Sequence, residues 1–190
     1  MKTVLKRNKS TQQELGKIYF WTATIHKWKS LLYFPEQKEM IINSLKHLHE
    51  KKLVTIYAFV IMPNHIHIIW KQNKRNGKEM PRSSFMKHTA RELLKKVNDY
   101  GKSKNFKVLA TNKKHQVWQP DSYSIELYSK KFITQKLDYI HGIPTKGRWK
   151  QCKDGTEYKY SSSKFYTSGF DDFKLLDNVF YNINKKIATP

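Results

Sequence analysis

The chain has 190 residues, enough for one compact domain with a tail, and its 37 Lys and Arg against 15 Asp and Glu leave a net charge of +22. A surface this basic excludes an ordinary metabolic enzyme and predicts a polyanionic partner, either a nucleic acid or an anionic membrane. Hydrophobic residues at 38% and aromatic residues at 14% supply enough apolar surface for a core, which excludes a disordered basic tail.

Cysteine content and hydropathy limit the class of protein further. The single cysteine, Cys152, excludes a disulfide framework and a cysteine-based zinc site. No stretch approaches the roughly 18 apolar residues of a spanning helix, and the basic start lacks the apolar segment of a signal peptide. We therefore expect a soluble cytoplasmic protein that does not insert into a membrane.

The first half of the sequence predicts a strand, a helix and a second strand, in that order. Residues 1–16 are polar and basic without periodicity, and we expect a loose arm there. A β-branched and aromatic run predicts a strand over 18–25. Apolar residues then recur at i, i+4 and i+7 after Pro35, which indicates a helix that ends near Lys52. The stretch 53–62 is apolar at successive positions, which is typical of a strand in the centre of a sheet.

A tight turn at Pro63 and Asn64 precedes the next predicted strand, His65 to Trp70. Ile66, Ile68 and Trp70 would face one side of the sheet, and the histidines the other. A cationic loop follows over 71–78. A second helix is predicted from Pro81 to Asn98, because apolar residues repeat along it at helical spacing.

The rest of the chain predicts a basic loop over 101–114, a strand within 116–128 and a third helix from Lys130 to about Gly142. The order β-α-β-β-α-β-α is that of an α+β protein with a ferredoxin-like split βαβ sandwich. In this fold an antiparallel sheet carries helices on one face and leaves room for a site on the other. We expect one domain over 17–144 and an extension over 145–190 that packs on it.

Two histidines are the most informative feature of the third predicted strand. Residues i and i+2 of a strand point to the same side, so the imidazoles of His65 and His67 would lie within about 7 Å of each other. Neutral imidazoles at that spacing can share one divalent ion and leave positions open for water and a phosphate oxygen. The alternative, two histidines that make only local hydrogen bonds, is equally open from these residues alone.

A candidate nucleophile stands in the third predicted helix. Tyr139 lies beside the stripe formed by Ile133, Leu137 and Ile140, where its hydroxyl can be presented across the sheet. A phenol oxygen attacks phosphorus once a metal withdraws charge from a phosphodiester, and Lys136 would favour the phenolate. The alternative is a tyrosine that straddles core and solvent, as most of the 11 tyrosines of this chain would.

Residues 57–70, YAFVIMPNHIHIIW, resemble the histidine-hydrophobic-histidine block of the IS200-like (Y1) transposases, and especially their REP-associated tyrosine transposase branch. Later segments are similar to that branch's landmarks in the same order: VWQ at 117–119, LDYIH at 137–141 and YSSS at 160–163. The resemblance spans about residues 17–166. It implies an HUH single-strand DNA nuclease on a ferredoxin-like fold with an added catalytic helix, in agreement with the predicted elements.

The resemblance implies that His65 and His67 hold Mg²⁺ or Mn²⁺ and that Tyr139 attacks a phosphodiester of single-stranded, hairpin-forming DNA. The products would be a 5′-phosphotyrosine and a free 3′-OH, and attack by a 3′-OH would rejoin the strands. The family usually has Gln or Asn four residues after the tyrosine, where it helps complete the metal shell. Here that residue is Ile143, which cannot ligate. Gln135 is the candidate third ligand; otherwise water fills the shell, or the enzyme is weakened or inactive.

The resemblance also implies a prokaryotic, nucleoid-associated protein that acts as a monomer or a homodimer. The basic residues expected to contact DNA phosphates are Lys74, Arg75, Lys136, Lys146 and Arg148. The aromatic residues expected to stack on unpaired bases are Trp70, Phe106, Trp118 and Trp149.

Two other functions stay open. A non-catalytic binder of single-stranded nucleic acid, either a domesticated transposase or an RRM-like module, shares the order of elements. RRM modules stack bases on aromatic residues of their central strands, where this chain has His65 and His67. Association with a membrane surface through charge would need a basic amphipathic helix with a broad apolar face, and the sequence predicts none.

Overall fold

The computed structural model describes residues 12–99, 106–110, 113–120, 122–147 and 150–181. Its strands and α-helices are, in chain order, β1 Ile18–Thr24, α1 Pro35–Glu50, β2 Val54–Ile61, β3 His65–Gln72, α2 Pro81–Asp99, β4 Lys107–Ala110, β5 Lys113–His115, β6 Tyr123–Glu126, α3 Lys130–Gly142 and α4 Ser163–Ser168. The predicted order is confirmed, with β6 as the fourth strand of the main sheet. The hairpin of β4 and β5 is additional, so the prediction of a plain loop over 101–114 is wrong in its second half.

The main sheet has four strands in the order β2-β3-β1-β6, and every neighbouring pair is antiparallel. Strands β1 and β2, which α1 connects, lie on either side of β3. This arrangement is the split βαβ topology that the sequence predicts, and it confirms the ferredoxin-like fold class. In the described parts of the chain, no helix is long and apolar enough to cross a membrane.

Alternation along the strands divides the core into two layers. One layer packs one side of the sheet against α1 and α2, and its members include Trp21, Trp70, Phe59, Phe85, Ile41 and Leu45. The other layer packs the opposite side of the sheet against α3, through Phe20, Val60, Ile69, Ile133, Leu137 and Ile140. The sheet therefore has helices on both sides, and α3 covers the side that carries the two histidines, together with Tyr166 of α4 and Val179 of the C-terminal segment.

Strand β2 ends the sheet, so the prediction of a central strand over 53–62 is wrong. The strand is buried because the C-terminal segment supplies hydrogen-bond partners along its free edge. The amide N of Ile61 donates to the carbonyl of Tyr160, and the amide N of Ser162 donates to the carbonyl of Phe59, both at 2.9 Å. An edge covered in this way needs no further strand. The predicted boundaries at 16/17 and 144/145 stay predictions.

Candidate active site

His65 and His67 project from the side of β3 that α3 covers, and their ring centroids are 4.9 Å apart. His67 lies between Thr22 of β1 and Val60 of β2, and it is only 5% exposed. Its ring stacks on Phe20 at 5.2 Å. The period-two alternation of β3 thus places both imidazoles side by side over the sheet.

Side-chain oxygens hold the Nδ1 atoms of both rings. The distance from His65 Nδ1 to Asn64 Oδ1 is 2.7 Å, and that from His67 Nδ1 to Thr22 Oγ1 is 2.6 Å. An amide oxygen only accepts, so His65 carries its hydrogen on Nδ1 and keeps a lone pair on Nε2. The orientation of the amide agrees with its second contact, because Asn64 Nδ2 donates to the carbonyl of Trp28 at 3.4 Å. Such contacts orient an imidazole for metal binding through Nε2.

Burial keeps both imidazoles neutral. It lowers the pKa of His65 to about 4. The pKa of His67 lies well below its usual value, through burial first and then through the nearby charges of His65 and Lys136. A neutral imidazole is the form that binds a metal, so at neutral pH neither ring has to lose a proton before it ligates.

Tyr139 reaches the histidine pair from α3. This helix begins after Ser129, whose hydroxyl accepts a hydrogen bond from the amide of Phe132 at 3.3 Å. Ring centroids lie 5.4 Å apart for Tyr139 and His67, and 5.9 Å apart for Tyr139 and Phe20. Half of the Tyr139 side chain is exposed, as expected for a position beside the buried stripe. The structure therefore brings together the three residues that the sequence singled out for chemistry.

Lys136, one turn before Tyr139, lies in the same cluster and not on a remote binding surface. Its Nζ is 5.0 Å from the centre of the Phe20 ring and 5.7 Å from the centre of the Tyr139 ring. Partial burial lowers the pKa of this ammonium group. The site thus holds two neutral imidazoles, a phenol and one amine, a set suited to an anionic ligand.

Ile143 and Gln135 are the two positions that bear on a third metal ligand. Ile143 packs against the apolar layer under α3, and Gln135 lies exposed on that helix. Within the described ranges, no group of three or more His, Cys, Asp or Glu side chains would hold a metal ion. Two imidazole nitrogens fit a divalent cation that takes its other ligands from water and phosphate oxygens. Gln135 as a ligand stays a prediction.

The other predicted DNA contacts are spread over the molecule. Lys74 and Arg75 follow the end of β3 opposite to His65, and the strand between them spans roughly 25 Å at the usual rise per residue. Lys146 is exposed just beyond the 3₁₀ helix that follows α3. Arg148 lies outside the described residues. Of this group, Lys136 alone is shown within the cluster around Tyr139.

The prediction that Trp70, Phe106 and Trp118 stack on bases is wrong. Their exposed fractions are 0%, 4% and 6%, and all three belong to the apolar layer under α1 and α2. Neighbouring lysines in the sequence do not expose an aromatic ring that points into the core. Trp149 lies outside the described residues.

Sequence reasoning missed an exposed aromatic residue beside the site. Trp28 is 54% exposed, and its ring centroid lies 6.4 Å from that of His65. Lys27 and Trp28 both have left-handed backbone angles, with φ of 55° and 57°. This conformation costs a non-glycine residue about 1–2 kcal/mol. The available signal was a lone tryptophan between two lysines, directly after the first strand.

A second missed feature fixes α3 on the sheet. His141 Nε2 is 2.9 Å from Ser162 Oγ, and that oxygen also accepts a hydrogen bond from the amide of Phe59 at 3.1 Å. Burial lowers the pKa of His141 to about 4, against the opposing charge of Asp138. The YSSS segment thus links β2 to α3 at His141, which lies two residues after Tyr139. This link supports the structure of the site.

Comparison with known proteins places the fold. No protein-family profile and no curated protein matches the chain. A solved REP-associated tyrosine transposase bound to a REP hairpin is similar over 94% of this chain and 93% of its own, with 19% identity and a TM-score of 0.57. A putative transposase from Deinococcus radiodurans R1 has 14% identity over 69% and 94% of the two chains, with a TM-score of 0.40. The similarity to the REP-associated tyrosine transposase confirms the predicted resemblance at the level of the fold, which the two chains share.

Proposed function

We propose that the protein is a metal-dependent tyrosine transposase of the IS200-like, REP-associated type, which nicks and rejoins single-stranded, hairpin-forming DNA. The observation that carries the proposal is the contact between Tyr139 and His67, with His65 beside them. These residues come from a strand and a helix far apart in the sequence, and they meet on the side of the sheet that α3 covers. The similar solved structure, which is bound to a REP hairpin, supports the choice of substrate.

The two histidines would hold the cation through their Nε2 atoms, with Asn64 and Thr22 fixing the rings from behind. A bound Mg²⁺ or Mn²⁺ supplies Lewis acidity, which withdraws charge from the phosphate oxygens. Because the rings are neutral, they reduce none of the cation's charge. The chain's net charge of +22 would hold the DNA backbone against the protein.

Tyr139 then acts as the nucleophile. Its oxygen attacks phosphorus, the bond from phosphorus to the tyrosine oxygen forms, and the bond from phosphorus to O3′ breaks. The phenol gives up its proton, and the departing O3′ takes one, so the products are a 5′-phosphotyrosine and a 3′-OH. The charge of Lys136 would favour the phenolate. The reverse attack by a 3′-OH joins strands and releases Tyr139, so the reaction needs no external energy source.

A second candidate function is binding of single-stranded nucleic acid without catalysis. The observation that favours it is the position of Ile143, which packs in the apolar layer under α3 where a third ligand would be expected. Such a protein would keep the basic surface and the fold but would form no covalent product.

A covalent-adduct assay separates the two functions. The protein is mixed with a hairpin-bearing single-stranded oligonucleotide and Mg²⁺ or Mn²⁺, and adducts are resolved on a denaturing gel. The wild type and the control Tyr128→Phe, an exposed tyrosine just before α3, should form the adduct. Tyr139→Phe should form no adduct, and His65→Ala should form far less. The DNA affinity of both variants should change less than about twofold; in Tyr139→Phe the phenylalanine keeps the ring contacts. An adduct with Tyr139→Phe would refute the nucleophile, and binding without any wild-type adduct would establish the second function.

A further inference from the structure

Trp28 is an exposed aromatic surface directly beside the candidate site. Its side chain is 54% exposed, and its edge-to-face contact with His65 has a centroid distance of 6.4 Å. Large aromatic rings are usually mostly buried, and three other tryptophans of the described chain are. The exposed ring of Trp28 therefore lies within one side chain's reach of an imidazole proposed to hold the metal.

Backbone hydrogen bonds hold the turn that carries this ring in an unfavourable conformation. Lys27 and Trp28 both have positive φ, and neither is a glycine. The amide N of Trp28 donates to the carbonyl of Ile25 at 2.9 Å, and the amide N of His26 donates to the carbonyl of Val117 at 2.7 Å. A strained turn that exposes a tryptophan next to a reactive site is a recognised mark of function.

One buried amide links the turn to the site. Asn64 is fully buried, and its Oδ1 accepts from His65 while its Nδ2 donates to the carbonyl of Trp28. The orientation of the imidazole and the position of the tryptophan turn are therefore fixed by the same side chain. A ligand group that lies on Trp28 would have a defined position relative to a group bound at His65.

The charge beside Trp28 selects the class of ligand. Lys27 precedes Trp28 and is exposed, whereas Lys29 is half-buried and its Nζ lies 4.6 Å from the centre of the Phe106 ring. An exposed aromatic face beside a cation matches a base and its adjoining phosphate, and stacking of this kind tolerates any base. The geometry points to Trp28 as the platform on which an unpaired base of single-stranded nucleic acid stacks, next to the phosphate that reacts. Its place next to that phosphate rests on the proposed function; the stacking itself does not.

The first test measures binding alone. Fluorescence anisotropy at fixed salt gives the dissociation constant of an unstructured single-stranded oligonucleotide, with no metal present. Trp28→Ala should bind roughly 5- to 100-fold more weakly, the range expected for the loss of one stacked base, and Trp28→Phe should stay within about threefold of the wild type. Phe170→Ala is the matched control, because Phe170 is 55% exposed in the C-terminal segment, and it should bind like the wild type. Unchanged affinity for Trp28→Ala would overturn the inference.

The second test locates the stacked base. An abasic site is moved along the proposed hairpin substrate, and binding and adduct formation are measured at each position. In the wild type, one position next to the cleaved phosphate should show the penalty, and in Trp28→Ala that penalty should vanish. A penalty that persists in Trp28→Ala, or a change of oligomeric state without a change in DNA affinity, would overturn the platform. The adduct with Tyr139→Phe tests the proposed function separately, so failure of one does not imply failure of the other.

Discussion

Acidification is expected to loosen the contact that holds α3 on the sheet. Burial lowers the pKa of His141 from 6.5 to about 4. Between these two values the unfolded chain binds the extra proton, so folding stability is complete above pH 6.5, falls as the pH drops, and levels off near 4. For these two values, lowering the pH from 7 to 5 removes about 2 kcal/mol of folding free energy through this histidine alone.

Urea unfolding of the wild type and His141→Gln at pH 7 and pH 5 measures this contribution. Glutamine keeps a polar group near Ser162 but does not titrate, so the variant should lose about 2 kcal/mol less than the wild type on acidification. His65 and His67 titrate in both proteins, and their contributions cancel in the comparison. His88→Gln, at an exposed position of α2, should respond to pH like the wild type. An equal pH response of His141→Gln and the wild type would refute the reasoning.

Two further results are expected. Gly155→Ala should lose about 1–3 kcal/mol of stability in urea, because a Cβ there would lie 2.5 Å from the carbonyl oxygen of His141. Gly142→Ala, where the nearest atom is the flexible end of Lys146 at 3.7 Å, should keep or gain up to about 1 kcal/mol; equal losses would contradict this packing argument. If about six phosphates are contacted, log affinity for single-stranded DNA should fall with log salt at a slope of roughly −4 in a titration, and a slope near zero would mean that charge does not drive binding.

The features that follow from local pattern were predictable. Alternation along β3 placed His65 and His67 on one side, and the apolar stripe of α3 placed Tyr139 beside it, because side-chain direction depends only on backbone period. The proximity of Tyr139 to the two histidines depends on the tertiary fold, which the order of the elements predicted. The lengths of α1 and α3 followed from Pro35 and from the end of the apolar repeat.

The errors concern partners that are distant in the sequence. Strand β2 looked central because it is buried on both faces, but residues near Ser162 cover its edge, and no local pattern predicts a cover that comes from so far along the chain. The β4–β5 hairpin was missed because its strands are only four and three residues long, and β5, Lys113 to His115, has no β-branched or apolar residue. Trp28 was missed because its exposure depends on a left-handed turn without a glycine to announce it.

The chain as a whole is strongly basic, with a net charge of +22, whereas the groups of the candidate site are mostly uncharged. The site itself is nearly uncharged, since burial keeps His65 and His67 neutral and their partners Asn64 and Thr22 carry no charge. Carboxylate ligands in the same buried place would cost more to desolvate and would repel an incoming phosphate. In the proposed reaction, neutral rings would avoid both costs and would leave the positive charge of a bound cation, together with that of Lys136, available to the phosphodiester. At acidic pH, protonation of the same rings would compete with metal binding. Metal affinity should therefore fall as the pH approaches the pKa of His65, about 4.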